Sequence, residues 1–251
     1  MVSLIPISDA NPTKRVPFIT LGLIAINIVM FFMTPGLGQT GESAVHFIEQ
    51  APLPCQLEDE CPTEPLGSLN GELVRIPERS FTSFLWAVVV GTFLHAGWLH
   101  IAGNLLFLWV FGNNVEDYLG HVKYLLFYLA GGVVATFAHV FTHLGDVVPL
   151  VGASGAVAAI MGAYMLLFPR AKVKVLVPIF ILWTIIELEA VAVLGLWLVY
   201  QFIIAAQESQ GATSVAWMAH VGGFVFGALL IFLIGGRPHK PQPAWEPQWR
   251  Y

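Results

Sequence analysis

The sequence predicts an all-α fold: a polytopic membrane helix bundle with six transmembrane helices and a long first external loop. Of its 251 residues, 57% are hydrophobic and only 11% are charged, whereas soluble domains carry about 25% charged residues. Several apolar runs approach the length that crosses a bilayer as a helix. The chain has no basic patch or stripe, which counts against nucleic acid as a partner. Its expected surroundings are therefore the lipid bilayer.

Each apolar run predicts one helix, and prolines or glycines mark several of the helix ends. The predicted helices are Phe18 to Met33, about Trp98 to Asn113, about Val122 to Thr142, about Ser154 to Phe168, about Ala190 to Ala206 and about Ala216 to Ile234. Residues 18–236 then form the membrane domain, between polar tails at 1–17 and 237–251. Residues 35–97 are predicted to form the external loop. No function can be derived for its acidic part, residues 36–80. A polar turn is predicted at residues 113–120.

The number of spans depends on residues 175–200, a long apolar stretch that is interrupted by Glu187 and Glu189. The stretch could hold two short segments, or one helix preceded by an interfacial segment. With six spans, nine of the eleven Lys and Arg residues fall on one face of the membrane, as the positive-inside rule prefers. With seven, the C-terminal basic group would lie on the other face. The sequence therefore favours Val175 to Ile186 as an interfacial segment and places both termini in the cytoplasm.

Two pairs of side chains are spaced for a bond or a shared ligand: two cysteines that could form a disulfide, and two histidines that could bind a metal ion. Cys55 and Cys61, the only cysteines, stand close together in the polar loop. They form a disulfide if that loop faces an oxidising compartment and are free thiols otherwise, and the sequence leaves both interpretations open. His139 and His143 share a helical face at a spacing that suits metal ions, but no H-E-x-x-H motif or further ligand accompanies them. No metal site is predicted.

A serine between glycines opens the fourth helix. Ser154 follows Gly152 and precedes Gly155, in front of an uncharged run from Ala156 to Phe168. Glycine lets other backbone approach closely, and the free N–H groups at a helix start favour a developing negative charge. His220 stands near the start of the sixth helix. Because helices four and six run in the same direction, Ser154 and His220 are expected at similar depth.

Small residues give these two helices surfaces that could pack closely. Ala219, Gly223 and Gly227 are four residues apart on the sixth helix, and Ala158 and Gly162 have the same spacing on the fourth. Such stripes allow membrane helices to approach closely. Close packing of this kind would bring Ser154 and His220 within hydrogen-bond distance.

His100 and Asn104 are four residues apart on the second helix and share one face. Polar side chains inside a membrane are costly and usually functional. With Ser154 and His220 they provide a nucleophile, a base and oxyanion donors, the groups that serine hydrolysis requires. No aspartate is placed to orient the histidine, so the sequence favours a Ser-His dyad.

Taken together, these residues resemble the motifs of the rhomboid family of intramembrane serine proteases, prokaryotic type. The resemblance covers about residues 10–236, and the motifs follow the family's order. The matching pieces are His95-Ala-Gly-Trp-Leu-His100-Ile-Ala-Gly-Asn104, Phe111-Gly-Asn-Asn-Val-Glu116-Asp-Tyr-Leu-Gly120, Gly152-Ala-Ser154-Gly155, and Ala219-His220-Val-Gly-Gly223 with Gly227.

The resemblance implies that Ser154 is the nucleophile and His220 its general base. It implies an oxyanion site made of the Ser154 N–H and the side chains of His100 and Asn104. Glu116 corresponds to a family position that ties together the turn between helices two and three. His95 lies about 140° around the helix from His100, which favours a structural role near the mouth of the site.

The implied activity is that of a serine endopeptidase, with no cofactor and no metal. The implied substrates are transmembrane proteins, cut in or beside a membrane segment near the outer face. The short termini show no organelle address, so a bacterial or archaeal plasma membrane is the predicted location. The natural substrate, the cleavage site and the oligomeric state are not predicted.

One departure from the family pattern concerns the position four residues after the serine. Many members carry an aromatic residue four positions after the serine, which stacks on the catalytic histidine, and this chain has Ala158 there. Another group must then orient His220. Two other functions compete with proteolysis: a non-catalytic rhomboid-like binder of membrane segments, and a transporter or proton pathway that uses His100, His220 and Glu187. The retained serine and histidine count against the first, and the absence of an apparent inverted repeat counts against the second.

Overall fold

A computed structural model describes residues 5–58, 60–179, 182–208 and 216–238. This part of the chain is mainly helical and fits a membrane helix bundle. Its helices are α1 Phe18–Met33, α2 Gly41–Gln50, α3 Phe81–Gly91, α4 Trp98–Leu119, α5 His121–Val140, α6 Ser154–Leu167, α7 Ala190–Glu208 and α8 Trp217–Leu233. The C-terminal tail beyond residue 238 lies outside the described residues.

Six of these helices, α1, α4, α5, α6, α7 and α8, coincide with the six predicted apolar helices. By length and composition, α5 is the one described helix that is long and apolar enough to cross a membrane. Shorter apolar helices or helical segments of 10–17 residues occur in α1, α3, α6, α7 and α8. The count of six spans therefore stays a prediction.

Five strands depart from the all-α prediction. They are β1 Ile5–Asp9, β2 Gly67–Leu69, β3 Glu72–Val74, β4 Lys172–Ile179 and β5 Leu182–Glu189. Antiparallel pairing joins β1, β4 and β5 into one sheet in that order and β2 with β3 into another.

The segment predicted to be interfacial, Val175 to Ile186, lies within the β4–β5 hairpin. The reason is visible in the sequence, because Val173, Val175 and Val177 are buried and alternate with more exposed residues. An alternation of this period is typical of a strand. The sequence predicts an interfacial segment here from the distribution of Lys and Arg, which does not register strand pairing.

The polar turn predicted at residues 113–120 is also wrong, because α4 continues to Leu119 and α5 begins at His121. The carboxylate of Glu116 explains the continuation. It accepts hydrogen bonds from the backbone N–H groups of Ile19 and Thr20, at 2.9 and 2.8 Å, and from the Thr20 hydroxyl at 2.7 Å. The last turn of α4 is thus packed against the start of α1. Gly120, with φ +77°, is the residue at which the chain reverses.

Helix α6 is the centre of the bundle, and every residue from Gly155 to Tyr164 is buried. A helix that is apolar on all sides is stable only when other elements surround it. Helix α8 approaches α6 so closely that a Cβ on Gly223 or Gly227 would collide with the α6 backbone. The predicted stripe of small residues therefore lies in this helix–helix contact and brings the start of α8 beside the start of α6.

The loop between α1 and α4 is folded. It contains α2, α3 and the β2–β3 hairpin, and Cys55 and Cys61 form a disulfide within it. The Cys55 N–H donates to the Asp146 carbonyl at 3.0 Å, and the Leu150 N–H donates to the Pro52 carbonyl at 2.9 Å. These bonds attach the loop to the segment between α5 and α6, next to Ser154.

Candidate active site

Ser154 and His220 meet at the start of the two closely packed helices. Ser154 is the first residue of α6, His220 is the fourth residue of α8, and the Ser154 Oγ lies 2.8 Å from the His220 Nε2. Both residues are partly exposed. At this distance the imidazole can accept the hydroxyl proton, which is the first requirement of a serine nucleophile with a general base.

Gln201 on α7 binds the other nitrogen of His220. Its Oε1 lies 2.7 Å from the His220 Nδ1, and its own Nε2 donates to the Trp197 carbonyl at 3.1 Å. Because the amide nitrogen is engaged by that carbonyl, Oε1 faces the imidazole and accepts the Nδ1–H. The tautomer that follows has its lone pair on Nε2, towards Ser154.

Trp197 also contacts the histidine directly. Its ring centroid lies 5.7 Å from that of His220, at an interplanar angle of 43°. Ala158 has no aromatic ring to place against His220, and Trp197 of α7 contacts the histidine instead. Sequence reasoning missed both Trp197 and Gln201, although a glutamine within an apolar helix is costly enough to have marked the position.

The two candidate oxyanion donors, His100 and Asn104 on α4, line the same cavity as His220. The Ala96 N–H donates to the His100 Nδ1 at 3.3 Å, which leaves the His100 Nε2 as the protonated, donating nitrogen. The Asn104 side chain is buried, and its Nδ2 has no hydrogen-bond partner in the described part of the chain. An amide donor left unpaired in a buried position is costly unless a ligand accepts from it.

Gly152 brings these donors close to the serine. Its φ of +118° is a conformation that favours glycine, and a Cβ there would stand 2.5 Å from the His100 Nε2 and 3.6 Å from the Asn104 Nδ2. The Gly152 N–H is bonded to the Gly91 carbonyl at 2.9 Å. The backbone before Ser154 is therefore held directly against the two candidate donors.

The remaining predicted residues surround this centre. His95 is completely buried, with its ring centroid 5.0 Å from that of His100, and neither ring nitrogen has a hydrogen-bond partner among the described residues. Gly155 and Gly223 form part of the α6–α8 contact. Glu116 lies away from the serine, where it also bonds the His121 Nδ1 at 2.6 Å and so joins α1, α4 and α5.

A cavity of about 940 Å³ opens over the Ser154–His220 pair. The other candidate groups in its lining include His100, Asn104 and Trp197. Its lining also includes His139 and Asp146, two side chains that can bind metal ions. The volume is at the upper end of small-molecule sites and can hold several residues of an extended peptide.

Comparison with known proteins identifies the family. Residues 82–237, which contain all of these site residues, match the rhomboid domain. The chain belongs to the rhomboid family. The match begins at α3 and ends just beyond α8.

Several relatives of this rhomboid are organellar proteins by name. Presenilin-associated rhomboid-like protein A, mitochondrial, of Danio rerio is 33% identical over 150 residues, 57% of this chain and 36% of that protein. Rhomboid-like protein 11, chloroplastic, of Arabidopsis thaliana is 31% identical over 160 residues, 60% of this chain and 52% of that protein. RHOMBOID-like protein 6, mitochondrial, of the same plant is 29% identical over 164 residues, 64% and 46% respectively. The matches span about a third to a half of these relatives.

These names contradict the predicted location. A bacterial or archaeal plasma membrane, with both termini in the cytoplasm, is wrong for a chain whose matched relatives are mitochondrial or chloroplastic. The prediction depended only on finding no organelle address in the short termini.

Proposed function

We propose that this rhomboid is an intramembrane serine endopeptidase that cleaves transmembrane proteins in or near their membrane segments. One observation carries the proposal: the Ser154 Oγ lies 2.8 Å from the His220 Nε2 at the wall of a large cavity. Serine and histidine side chains meet in this way when the imidazole acts as a general base.

The proposed reaction is acyl transfer to Ser154 followed by hydrolysis. His220 takes the hydroxyl proton as Ser154 Oγ attacks the scissile carbonyl, and then gives that proton to the leaving amine. The Ser154 N–H, the Asn104 Nδ2 and the His100 Nε2 stabilise the oxyanion. A water molecule, deprotonated by His220, then attacks the acyl-enzyme and releases Ser154.

The length of α6 supports a cut within the membrane region. Its 14 residues make a helix about 21 Å long, whereas a bilayer hydrocarbon core is about 30 Å thick. A nucleophile at one end of this helix lies below the membrane surface when the other end is at the interface. Transmembrane segments are the polypeptides that reach this depth, and a segment with an unstable helix unwinds most readily for cleavage.

The location that we propose is an organellar membrane, by analogy with the mitochondrial and chloroplastic relatives. The disulfide between Cys55 and Cys61 indicates that the loop above the cavity faces an oxidising compartment. Candidate substrates are therefore single-span proteins of the same organelle.

The competing functions have less support. A transporter that uses Glu187 would need this residue near the histidines, but Glu187 is exposed on β5, opposite Lys174 in the hairpin. A non-catalytic binder of membrane segments would need only the cavity, to hold the bound segment. The engaged Gln201, the His220 tautomer and the unpaired Asn104 amide would then have no role.

Purified protein in liposomes, with a single-span model substrate, tests the proposal. Wild type should produce two fragments and react with a serine-directed fluorophosphonate, and Ser154→Ala should do neither. His220→Ala should lose at least about 10³-fold in cleavage rate. Ser68→Ala, which removes an exposed hydroxyl from β2, is the matched control and should behave as wild type.

The outcomes separate the two rhomboid hypotheses. Cleavage by Ser154→Ala at the wild-type rate would overturn the assignment of the nucleophile. Substrate binding by wild type, with neither cleavage nor fluorophosphonate labelling in several lipids, would favour the non-catalytic binder.

A further inference from the structure

Three possible metal ligands come together where α5 ends. His139 lies in the last turn of α5, and His143 and Asp146 follow it in the segment that leads to α6. Their ligand atoms all lie within 4.8 Å of one another. The two imidazole rings are stacked, with centroids 4.1 Å apart and an interplanar angle of 13°, so one ring must turn before both can bind the same ion. The sequence suggested only the histidine pair, and folding adds the carboxylate.

Hydrogen bonds orient His143 as a ligand. Its Nδ1 lies 3.1 Å from the His139 backbone carbonyl and 2.8 Å from the Thr142 hydroxyl. The carbonyl can only accept, so the Nδ1 carries the proton and the Nε2 keeps its lone pair. Metal-binding histidines are typically held in this way, with the distal N–H donated to a backbone carbonyl.

His139 has a buried ring nitrogen without a hydrogen-bond partner in the described residues, and a bound metal ion would account for it. Its side chain is 5% exposed, and its Nδ1 has no hydrogen-bond partner in the described residues. A buried polar atom without a partner costs about 1–3 kcal/mol. Binding of this imidazole to a metal ion would offset that cost.

Asp146 combines a hydrogen-bonded backbone with an exposed carboxylate. Its N–H donates to the His143 carbonyl and its own carbonyl accepts from the Cys55 N–H, both at 3.0 Å, while its side chain is exposed. Ligands of a tetrahedral zinc ion lie about 3.3 Å apart. Rotation of the exposed carboxylate, together with a turn of the His139 ring, whose Nδ1 has no hydrogen-bond partner in the described residues, can bring the three ligand atoms to one point.

We propose that His139, His143 and Asp146 form a Zn²⁺ site in the wall of the cavity, with a fourth position open to water. Two imidazole nitrogens and one carboxylate oxygen are a donor set that suits zinc and leaves one coordination position free. Val147 to Leu150 directly follow Asp146 and line the same cavity as Ser154. A metal ion that links α5 to Asp146 therefore restrains the cavity wall formed by residues 147–150, and this restraint slows the entry of substrate. The effect on substrate entry rests on the proposed function, whereas the binding of zinc does not.

Calorimetric titration with Zn²⁺ alone tests the site. The protein is the full chain in detergent, stripped with chelator and purified without a histidine tag. Wild type should bind one Zn²⁺ per chain, and Asp146→Asn and His143→Ala should each bind at least about tenfold more weakly. His46→Ala, which removes a histidine from α2 away from the cluster, should bind as wild type. Co²⁺ in place of Zn²⁺ should give the visible absorption of a four-coordinate ion in wild type only.

Equal zinc affinity in wild type, Asp146→Asn and His143→Ala would overturn the site, as would the absence of stoichiometric binding. Asp146→Asn keeps the side-chain shape at an exposed position, so its result does not depend on a change in folding.

The Ser154→Ala variant separates this inference from the proteolytic function. It should bind one Zn²⁺ as tightly as wild type, whether or not the chain is a protease. In the cleavage assay, Zn²⁺ should slow wild type and leave Asp146→Asn unaffected. Equal inhibition of the two would overturn the proposed effect of zinc on entry.

Discussion

The side-chain oxygen of Gln201 lies 2.7 Å from the Nδ1 of His220. Where a serine protease triad has a carboxylate to orient the histidine, this chain has a neutral amide. The amide is itself oriented by the Trp197 carbonyl, one helical turn earlier on α7. Helix α7 therefore helps to decide which nitrogen of the histidine faces Ser154.

Replacing Gln201 with Leu should lower kcat about 10- to 100-fold with little change in KM, because the hydrogen bond that holds the developing imidazolium is worth about 1.5–3 kcal/mol. Gln201→Glu, which keeps an acceptor at Oε1, should retain more activity than Gln201→Leu. Steady-state cleavage in liposomes measures both constants. Phe202→Leu, at an exposed neighbouring position on α7, is the control. An effect of Gln201→Leu confined to KM would contradict the positioning role.

Asn104→Ala should lower kcat by about 10²- to 10³-fold, the usual cost of removing one oxyanion donor. The buried Nδ2 has no partner in the described residues of the free protein, so its removal should not destabilise the fold. Cleavage rates and thermal unfolding of the same preparation check the two statements. Asn113→Ala, on the same helix but outside the cavity lining, should cleave at a rate near wild type. Similar losses of activity in both variants would point to helix packing instead.

Glu116→Gln should destabilise the protein by about 2–4 kcal/mol, because a buried carboxylate that accepts several hydrogen bonds would be replaced by an amide with only one acceptor. Its side chain is 1% exposed. Equilibrium unfolding in mixed detergent measures the change. Asp117→Asn removes a carboxylate that accepts from the Lys14 and Arg15 N–H groups at the surface. This control should cost less than about 1 kcal/mol.

Asp9 should make the stability of the protein depend on pH. Burial raises the pKa of Asp9 from 3.8 to about 6, even though Tyr164 and Asn114 donate hydrogen bonds to its carboxylate. The folded protein therefore binds this proton more tightly than the unfolded chain. The contribution of Asp9 to the free energy of unfolding should therefore be greatest below about pH 4 and should be lost as the pH rises through about 6.

The loss amounts to as much as about 3 kcal/mol, since one pKa unit corresponds to about 1.4 kcal/mol. Thermal unfolding between pH 4 and pH 7, compared between wild type and Asp9→Asn, measures it. The asparagine keeps an acceptor for Tyr164 without titrating. If the difference between the two proteins is the same at every pH in this range, Asp9 is not the titrating group.

The sequence by itself determined most of the helical frame and the family motifs. Apolar runs located the six bundle helices to within a few residues, except at the end of α4, because an apolar helix can be recognised from its own composition. The order of the blocks around His100, Ser154 and His220 indicated the rhomboid family, to which the chain belongs.

Only the tertiary structure decided which side chains support these groups. Gln201 and Trp197 on α7 reach His220 only because α7 packs against α8. Asp146 joins His139 and His143 through the fold of the turn after α5. The β4–β5 hairpin was missed because strand pairing depends on a partner strand, and the continuation of α4 depends on Glu116 reaching α1. Composition carries no record of such contacts, because they become defined only when the strands pair, the turn folds and the helices pack.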